Sequence, residues 1–393
     1  MNPYRKLFPY PEDLLFFNSG SMPLTPHSVL EKVAEEKTKF EKNPTAGLFG
    51  AWEKMWAVQK ELAQAFSADP RHLYLRLNVT YAMNDFIMAL KLPPGSEILI
   101  SDLEYGAIAK ICAYKAKIDN LRFRVFPLYK ASTDPQSLTA DSLTEQLEKS
   151  LSPQTKLVML SHVLTGTGLK LPIEKMAALL RSKNIFFAVD GAHGAGCENL
   201  SFKKTELDYY GSNLHKWLMG PKGTGFAWVS PQMREHLEPQ FAGWTTGNLP
   251  PHFAQVGDGD RWTIRWMICS THNFSDFYGL PETLRFWKEQ GAEKIFSRHQ
   301  KLRNLMIEKV SDKTGWRCLS TYAPELQGPM IAFELPSHLE KRGPELMKHL
   351  YLDKKLVTVT PQIFNRWVLR LSANIYNNEE EIDQMAQILG EIE

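Results

Sequence analysis

Two short β-rich runs lead into residues with reactive side chains. FFAVD ends at Asp190 and continues into Gly191-Ala192-His193-Gly194, while YYGSN, opening at Tyr209, continues into Leu214-His215-Lys216-Trp217. Ligands of α/β sheets collect at the carboxyl ends of the strands, so a carboxylate after one strand and an amine after the next are expected in one pocket. A carboxylate beside a pyridine nitrogen keeps that nitrogen protonated, and the ring then accepts electrons from a carbanion at an amino acid's α-carbon. A lysine forms a Schiff base with the ring's aldehyde and, once displaced by the substrate amine, becomes a base for the α-proton. Asp190 and Lys216, in this order, therefore suit a pyridine-aldehyde cofactor. Taken singly, each residue has a plainer reading: Asp190 as a helix cap, His193 as a loop histidine and Lys216 as a solvated amine.

The elements that must position these residues are readable from periodicity and turn chemistry. Thr25-Pro26 announces a helix that carries Val29, Leu30, Val33 and Ala34 on one face and ends near Asn43-Pro44. A second amphipathic helix runs from about Trp52 to Phe66 and leads into the strand LYLRLN, ending at Asn78. Strand candidates EILIS from Glu97, LRFRVF from Leu121, KLVMLS from Lys156, FFAVD and YYGSN then alternate with helical patterns such as Thr80 to Leu92 and Ile173 to Lys183. That alternation predicts a mostly parallel sheet wrapped by helices, with GTGFAWV from Gly223 as an antiparallel strand because its connection is short. Beyond Asn273 the pattern becomes one long helical stretch, LPETLRFWKEQGAEKIFSRHQKLRNLMIEKV, followed by short strands and a charged C-terminal helix. A domain boundary is expected there.

With these motifs in place, the chain resembles the class V aminotransferase family of fold-type I pyridoxal-phosphate (PLP) enzymes, in the branch of isopenicillin N epimerase-like and cysteine desulfurase-like proteins. The resemblance rests on FFNSGSMPLTP near the N-terminus, NVTYAMN at Asn78, EYGA at Glu104, SHVLTGTG at Ser161, VDGAHGAG at Val189, NLHKW at Asn213 and RLSANIYNNEEEID at Arg370. It implies an α/β large domain with a mostly parallel seven-stranded sheet over residues 20–272. A smaller α+β domain would be built from residues 1–19 and 273–393.

The same resemblance implies a role for each matched residue. Thr80 and the backbone at Val79 would hold the cofactor phosphate at a helix N-terminus, with Asn213 and His215 completing the cradle. Tyr105 would stack on the pyridine face, where desulfurases carry histidine. Thr165 and His193 would lie beside the phenolic oxygen. Arg370 would grip the substrate α-carboxylate, for which a guanidinium's bidentate geometry is suited, and Asn18 would be a second substrate-binding residue. Thr271, in CSTHNFSD, would reach the phosphate of a neighbouring subunit, which implies a homodimer with shared active sites, although Ser270 stands where the family has glycine.

Composition narrows the alternatives. Hydrophobic residues at 43% and charged residues at 23% are ordinary for a globular chain. A net charge of +2 without a long Lys/Arg run argues against a nucleic-acid partner. No segment is apolar and long enough to span a membrane, and MNPYRKLFPYPEDLLFF lacks the continuous apolar stretch of a signal peptide, so a cytoplasmic location is expected. Cys112, Cys197, Cys269 and Cys318 are scattered without CxxC spacing, which fits reduced thiols better than disulfides and leaves no metal site. GPKGTG after Trp217 lacks the spacing of a nucleotide loop and reads as a turn, and GAHGAG fails the dinucleotide fingerprint.

Within the resemblance the reaction stays a choice. Epimerisation or racemisation stands with transamination as the leading pair. A persulfide-forming desulfurase needs a cysteine on the loop before the carboxylate-binding arginine, and KKLVTVTPQIFNRWVLR contains none. A carbon–sulfur lyase that works without a cysteine is the alternative. A non-catalytic binding protein of the same fold is the alternative from another class, and the joint presence of Asp190, His193, Lys216 and Arg370 argues against it. Trp52, Trp244 and Trp262 are candidates for the pocket entrance.

Overall fold

The computed structural model describes residues 2–247 and 259–392. Its centre is a seven-stranded sheet made of β2 (Leu73–Arg76), β3 (Glu97–Ser101), β4 (Arg122–Phe126), β5 (Thr155–Ser161), β6 (Phe186–Gly191), β7 (Tyr209–Asn213) and β8 (Gly225–Val229). The spatial order is β2-β8-β7-β6-β5-β3-β4. Pairs β4/β3, β3/β5, β5/β6 and β6/β7 are parallel, whereas β8 is antiparallel to both neighbours. The predicted reversal at GTGFAWV is therefore present, and its cause is the short turn through Gly223 at φ +74°.

Strands β3, β6, β7 and β8 are almost continuously buried. A parallel sheet covered by helices on both faces requires this, and it explains why these runs read as unbroken apolar or small residues. Register brings the chemistry to one edge. Ser161, the last residue of β5, lies opposite Asp190 of β6, and Gly191 lies opposite Ser212 of β7. The carboxyl ends of three neighbouring strands thus converge.

The first helix begins one residue later than Thr25-Pro26 suggests: Pro26 takes the N-cap position without a side-chain cap, and the Thr25 hydroxyl donates to the Gly220 carbonyl instead. Asn78 accepts the Tyr81 amide with its side chain and opens the helix Val79–Ala89 directly after β2. Helices His27–Lys42 and Ala51–Ala65 follow the predicted spans closely. The long C-terminal stretch differs from expectation. It is two helices, Leu280–Gln290 and Ala292–Thr314, broken at Gly291, whose φ of +81° ends the first helix in a conformation that favours glycine.

A second sheet of three strands orders β11 (Gln362–Ile363), β12 (Arg366–Leu371) and β9 (Ile331–Glu334), all antiparallel. Near the N-terminus β1 (Leu15–Phe16) runs parallel to β10 (Leu356–Val357). Phe17 joins a separate apolar core with Leu302, Ile331, Leu369 and Leu389. Phe277, Leu280 and Phe286 instead pack into the main core around the large sheet. The three tryptophans expected at an entrance are elsewhere. Trp52 stacks on Trp56 in the main core and Trp262 packs against Tyr74, while Trp244 is exposed and lines no part of the cavity described below.

Candidate active site

A cavity of about 850 Å³ opens at the carboxyl edge of the large sheet, where it meets the β11–β12 hairpin. Val79, Thr80, Tyr105, Thr165, Asp190, His193, Asn213, His215, Lys216 and Arg370 all line it. Ten of the twelve residues singled out from the sequence therefore share one space, drawn from segments nearly 300 residues apart in the chain. Asn18 stands just behind the wall and accepts a hydrogen bond from Arg370 Nη2 at 3.0 Å. Thr271 is exposed and lies outside the cavity of its own chain.

Asp190 is buried, and its Oδ1 accepts the Ala192 amide at 2.8 Å. Burial raises its pKa above the usual carboxylate value, while that hydrogen bond and the charge of Lys216 oppose the rise. Burial lowers Lys216 to about 8, although Asp190 pulls the other way. The amine is thus mostly protonated at pH 7 and about half free base near pH 8. Among the described residues neither side chain makes an ion pair.

Arg370 comes from β12, on the far side of the cavity. Its Nη1 donates to the carbonyl and the hydroxyl of Thr165, both at 3.0 Å, and its Nη2 donates to Asn18 and to Ser21 Oγ at 2.7 Å. Among the described residues its buried Nε has no partner. Every partner is neutral, and burial pulls the guanidinium down to about 10. A buried cation is costly unless an anion joins it. Asn18, Ser21 and Thr165 aim this one, and an anionic ligand would complete it.

The expected phosphate cradle is preformed in part. Val79 and Thr80 open the helix behind Asn78, so the positive end of that helix faces the cavity. The Val79 amide already donates to Asn213 Oδ1 at 2.9 Å, which ties the helix start to the end of β7. His215 Nδ1 lies 2.8 Å from the carbonyl oxygen of Thr224. Because a carbonyl only accepts, the proton is on Nδ1, and burial keeps the ring neutral by lowering it to about 4. An anion at Nε2 must therefore bring a second proton to this ring.

Tyr105 caps the helix Gly106–Ile118 and is half exposed at the cavity, leaving a ring face available for stacking. Its neighbour Glu104 was visible in the sequence only as part of a motif. The carboxylate of Glu104 accepts from Ser101 Oγ at 2.6 Å and from the amide and hydroxyl of Ser161 at 2.8 and 2.5 Å. Burial, assisted by Asp190, raises it to about 7 despite these donors. Glu104 thereby clamps β3 to β5 and fixes the start of the Tyr105 helix. No sequence signal announced this, because Ser161 is 57 residues away.

Sequence reasoning also missed Phe364 and Asn365. They form the two-residue turn between β11 and β12, both with positive φ (+52° and +61°), and both line the cavity. A bulky aromatic residue in the left-handed region is a strained arrangement of the kind that clusters at functional sites. Phe364 is held there by edge contact with Tyr129. This hairpin is the loop before the arginine, and none of the four cysteines lines the cavity.

The donor set fits pyridoxal phosphate. A buried carboxylate and a half-buried lysine face one cavity without pairing among the described residues, beside a helix N-terminus and an accessible aromatic ring. A ring nitrogen, an aldehyde, a phosphate and a flat π-face answer these four features in turn.

Comparisons with known proteins agree with the geometry. The family model for aminotransferase class-V matches residues 15–385. Isopenicillin N epimerase from Streptomyces clavuligerus is 32% identical over 378 residues, covering 95% of this chain and 93% of that protein. Among solved structures, a lysine-to-alanine mutant of C-DES with glycine covalently linked to the PLP cofactor superimposes with a TM-score of 0.86 at 26% identity, over the full length of both chains. C-DES, described as a cystine C–S lyase, bound to its reaction product cysteine persulfide gives a TM-score of 0.84 at 26% identity, covering 97% of this chain and 98% of the other.

Proposed function

This chain belongs to the aminotransferase class-V family and is a pyridoxal-phosphate-dependent enzyme, and on that premise we propose that it inverts configuration at the α-carbon of an amino acid. The observation that carries amino-acid chemistry is the pairing, across one cavity, of the Lys216 amine and the buried Arg370 guanidinium, neither of which has a carboxylate partner among the described residues. Pyridoxal phosphate, when bound, supplies an electron sink that acidifies the substrate's α-C–H bond.

Each residue then has a defined task. Asp190 holds the proton on the ring nitrogen. Thr80, the helix N-terminus at Val79, Asn213 and His215 would hold the phosphate, and Tyr105 would stack on the ring. His193 and Thr165 bind at the phenolic oxygen. Arg370, aimed by Asn18 and Ser21, takes the substrate carboxylate and so fixes which face of the α-carbon meets Lys216. Lys216, its pKa near 8, accepts the α-proton on that face. Inversion needs an acid on the opposite face, and the Tyr105 hydroxyl, half exposed at the cavity, is the group we assign to that role.

Similarity to isopenicillin N epimerase over nearly the whole chain supports inversion. The cysteine-free lining speaks against a persulfide-forming desulfurase. A cysteine-independent carbon–sulfur lyase is supported only by the likeness to C-DES. We further propose a homodimer in which Thr271 of one subunit reaches the phosphate site of the other; its exposure outside its own cavity supports this. The working division is a large domain over 20–272 and a small domain from 1–19 and 273–393, supported by Phe17 in the second core, although Leu280 and Phe286 pack with the first.

The test is incubation of the holoenzyme with an amino-acid panel in heavy water. Inversion with α-deuteration and no keto acid is expected. A requirement for an amino acceptor would replace the proposal with transamination, and pyruvate with sulfide would replace it with the lyase.

A further inference from the structure

Trp217 follows the cofactor lysine directly, yet its side chain turns away from the cavity. It is fully buried, and its indole N–H donates to His193 Nδ1 at 3.1 Å. The indole ring is held on its other side by edge contact with His299, at 5.3 Å between centroids. An indole N–H can only donate, so His193 Nδ1 must be the acceptor and carries no proton. We propose that Trp217 is a positioning residue that fixes His193 as its Nε2–H tautomer, so that His193 faces the cofactor's phenolic oxygen as a hydrogen-bond donor and never as a base.

The rest of the pocket is consistent with that polarity. Burial, together with the charges of Lys216 and Arg370, holds the His193 ring far below the ordinary histidine pKa, so it is neutral and has one proton to place. With Nδ1 occupied, that proton sits on Nε2, which lies 3.3 Å from both Thr165 Oγ1 and Lys216 Nζ. Thr165 Oγ1 already accepts from Arg370 Nη1. The one Nε2–H serves either Thr165 Oγ1 or the phenolic oxygen, and where Thr165 takes it both lone pairs of that hydroxyl are filled and its hydrogen points into the cavity. One indole N–H therefore sets the direction of hydrogen bonds from Trp217 through His193 to Thr165. Lys216 Nζ, as a free amine, can accept from the same Nε2–H.

The inference rests on the placement of His193 at the phenolic oxygen proposed above, and two readouts separate the two claims. Holoenzyme labelled with nitrogen-15 histidine is examined by long-range proton–nitrogen correlation, with the His193 signals identified by their absence from His193→Gln. The wild type is expected to show a protonated, pyrrole-type Nε2 and an unprotonated, pyridine-type Nδ1. Trp217→Phe, which keeps the aromatic packing and removes only the donor, is expected to lose this single form and to shift the cofactor's visible absorption maximum. A protonated Nδ1 in the wild type overturns the proposal even where the variant fails to fold, as do wild-type His193 signals in Trp217→Phe. Altered signals with an unmoved visible band uphold the role of Trp217 and remove His193 from the phenolic oxygen instead.

Discussion

Replacing the cofactor lysine should stabilise the cofactor-free protein. Lys216 is half-buried, and burial lowers its pKa from 10.5 to about 8. Below pH 8 both the folded and the unfolded chain carry the proton, and the folded state bears the full cost of a buried cation. A shift of roughly 2.5 units corresponds to about 3 kcal/mol at 1.36 kcal/mol per unit. As pH rises from 8 to 10.5 the folded chain sheds its proton before the unfolded chain does, so stability increases and the cost vanishes above 10.5. Lys216→Met removes the charge and keeps most of the volume. It also takes away the cation nearest Asp190, so a gain of about 1–3 kcal/mol at pH 7 is expected rather than the full amount. Urea denaturation of the cofactor-free variant and wild type at pH 7 and pH 9.5 measures this, with midpoints and slopes compared. The gap should narrow at the higher pH. A variant less stable than wild type at pH 7, or a gap that ignores pH, would refute the assignment of Lys216 as a buried, unpaired amine.

Other consequences follow from the same pocket. The rate at which cofactor-free protein captures pyridoxal phosphate, followed by visible absorbance, should rise through pH 7–9 with a midpoint near 8 and then level off, because only the free amine of Lys216 attacks the aldehyde. Arg370→Gln should raise the substrate KM by roughly 100-fold, about 3 kcal/mol for a buried charged contact, with a smaller change in kcat. Asp190→Asn should lower kcat by at least about 100-fold, the lower range for losing a positioned proton-holding group, while the cofactor still binds. Tyr105→Phe should retain α-proton exchange at the Lys216 face and abolish inversion; inversion that survives removes Tyr105 as the second acid.

Much of the sheet and the Asp190–Lys216 pair were legible in the sequence because both depend on local rules. Asp190 and Lys216 each come at or just after the end of a run with strand composition, so their place at the carboxyl edge required only the parallel alternation of strands and helices, whereas Val79, Thr80, Asn213 and His215 came through family resemblance. Tyr105, Thr165, His193 and Arg370 were reached through family resemblance. In Arg370 the informative property is burial beside neutral partners from residues 18, 21 and 165, and no local pattern encodes it. Glu104 and Trp217 escaped for the same reason, since their partners are fixed by tertiary contact. Phe364 was missed because phenylalanine argues against a left-handed turn, and only the pairing of Ile363 with Arg366 forces one. Gly291 carried a readable signal within an otherwise helical stretch, where its positive φ ends the first helix.

The central claim, that Lys216 carries the cofactor, is tested most directly by reducing the holoenzyme with borohydride and mapping its peptides by mass spectrometry. The mass of reduced pyridoxal phosphate is expected on Lys216, with loss of the yellow colour. Cofactor mass on another lysine, or protein that neither takes up nor retains the cofactor, would contradict it.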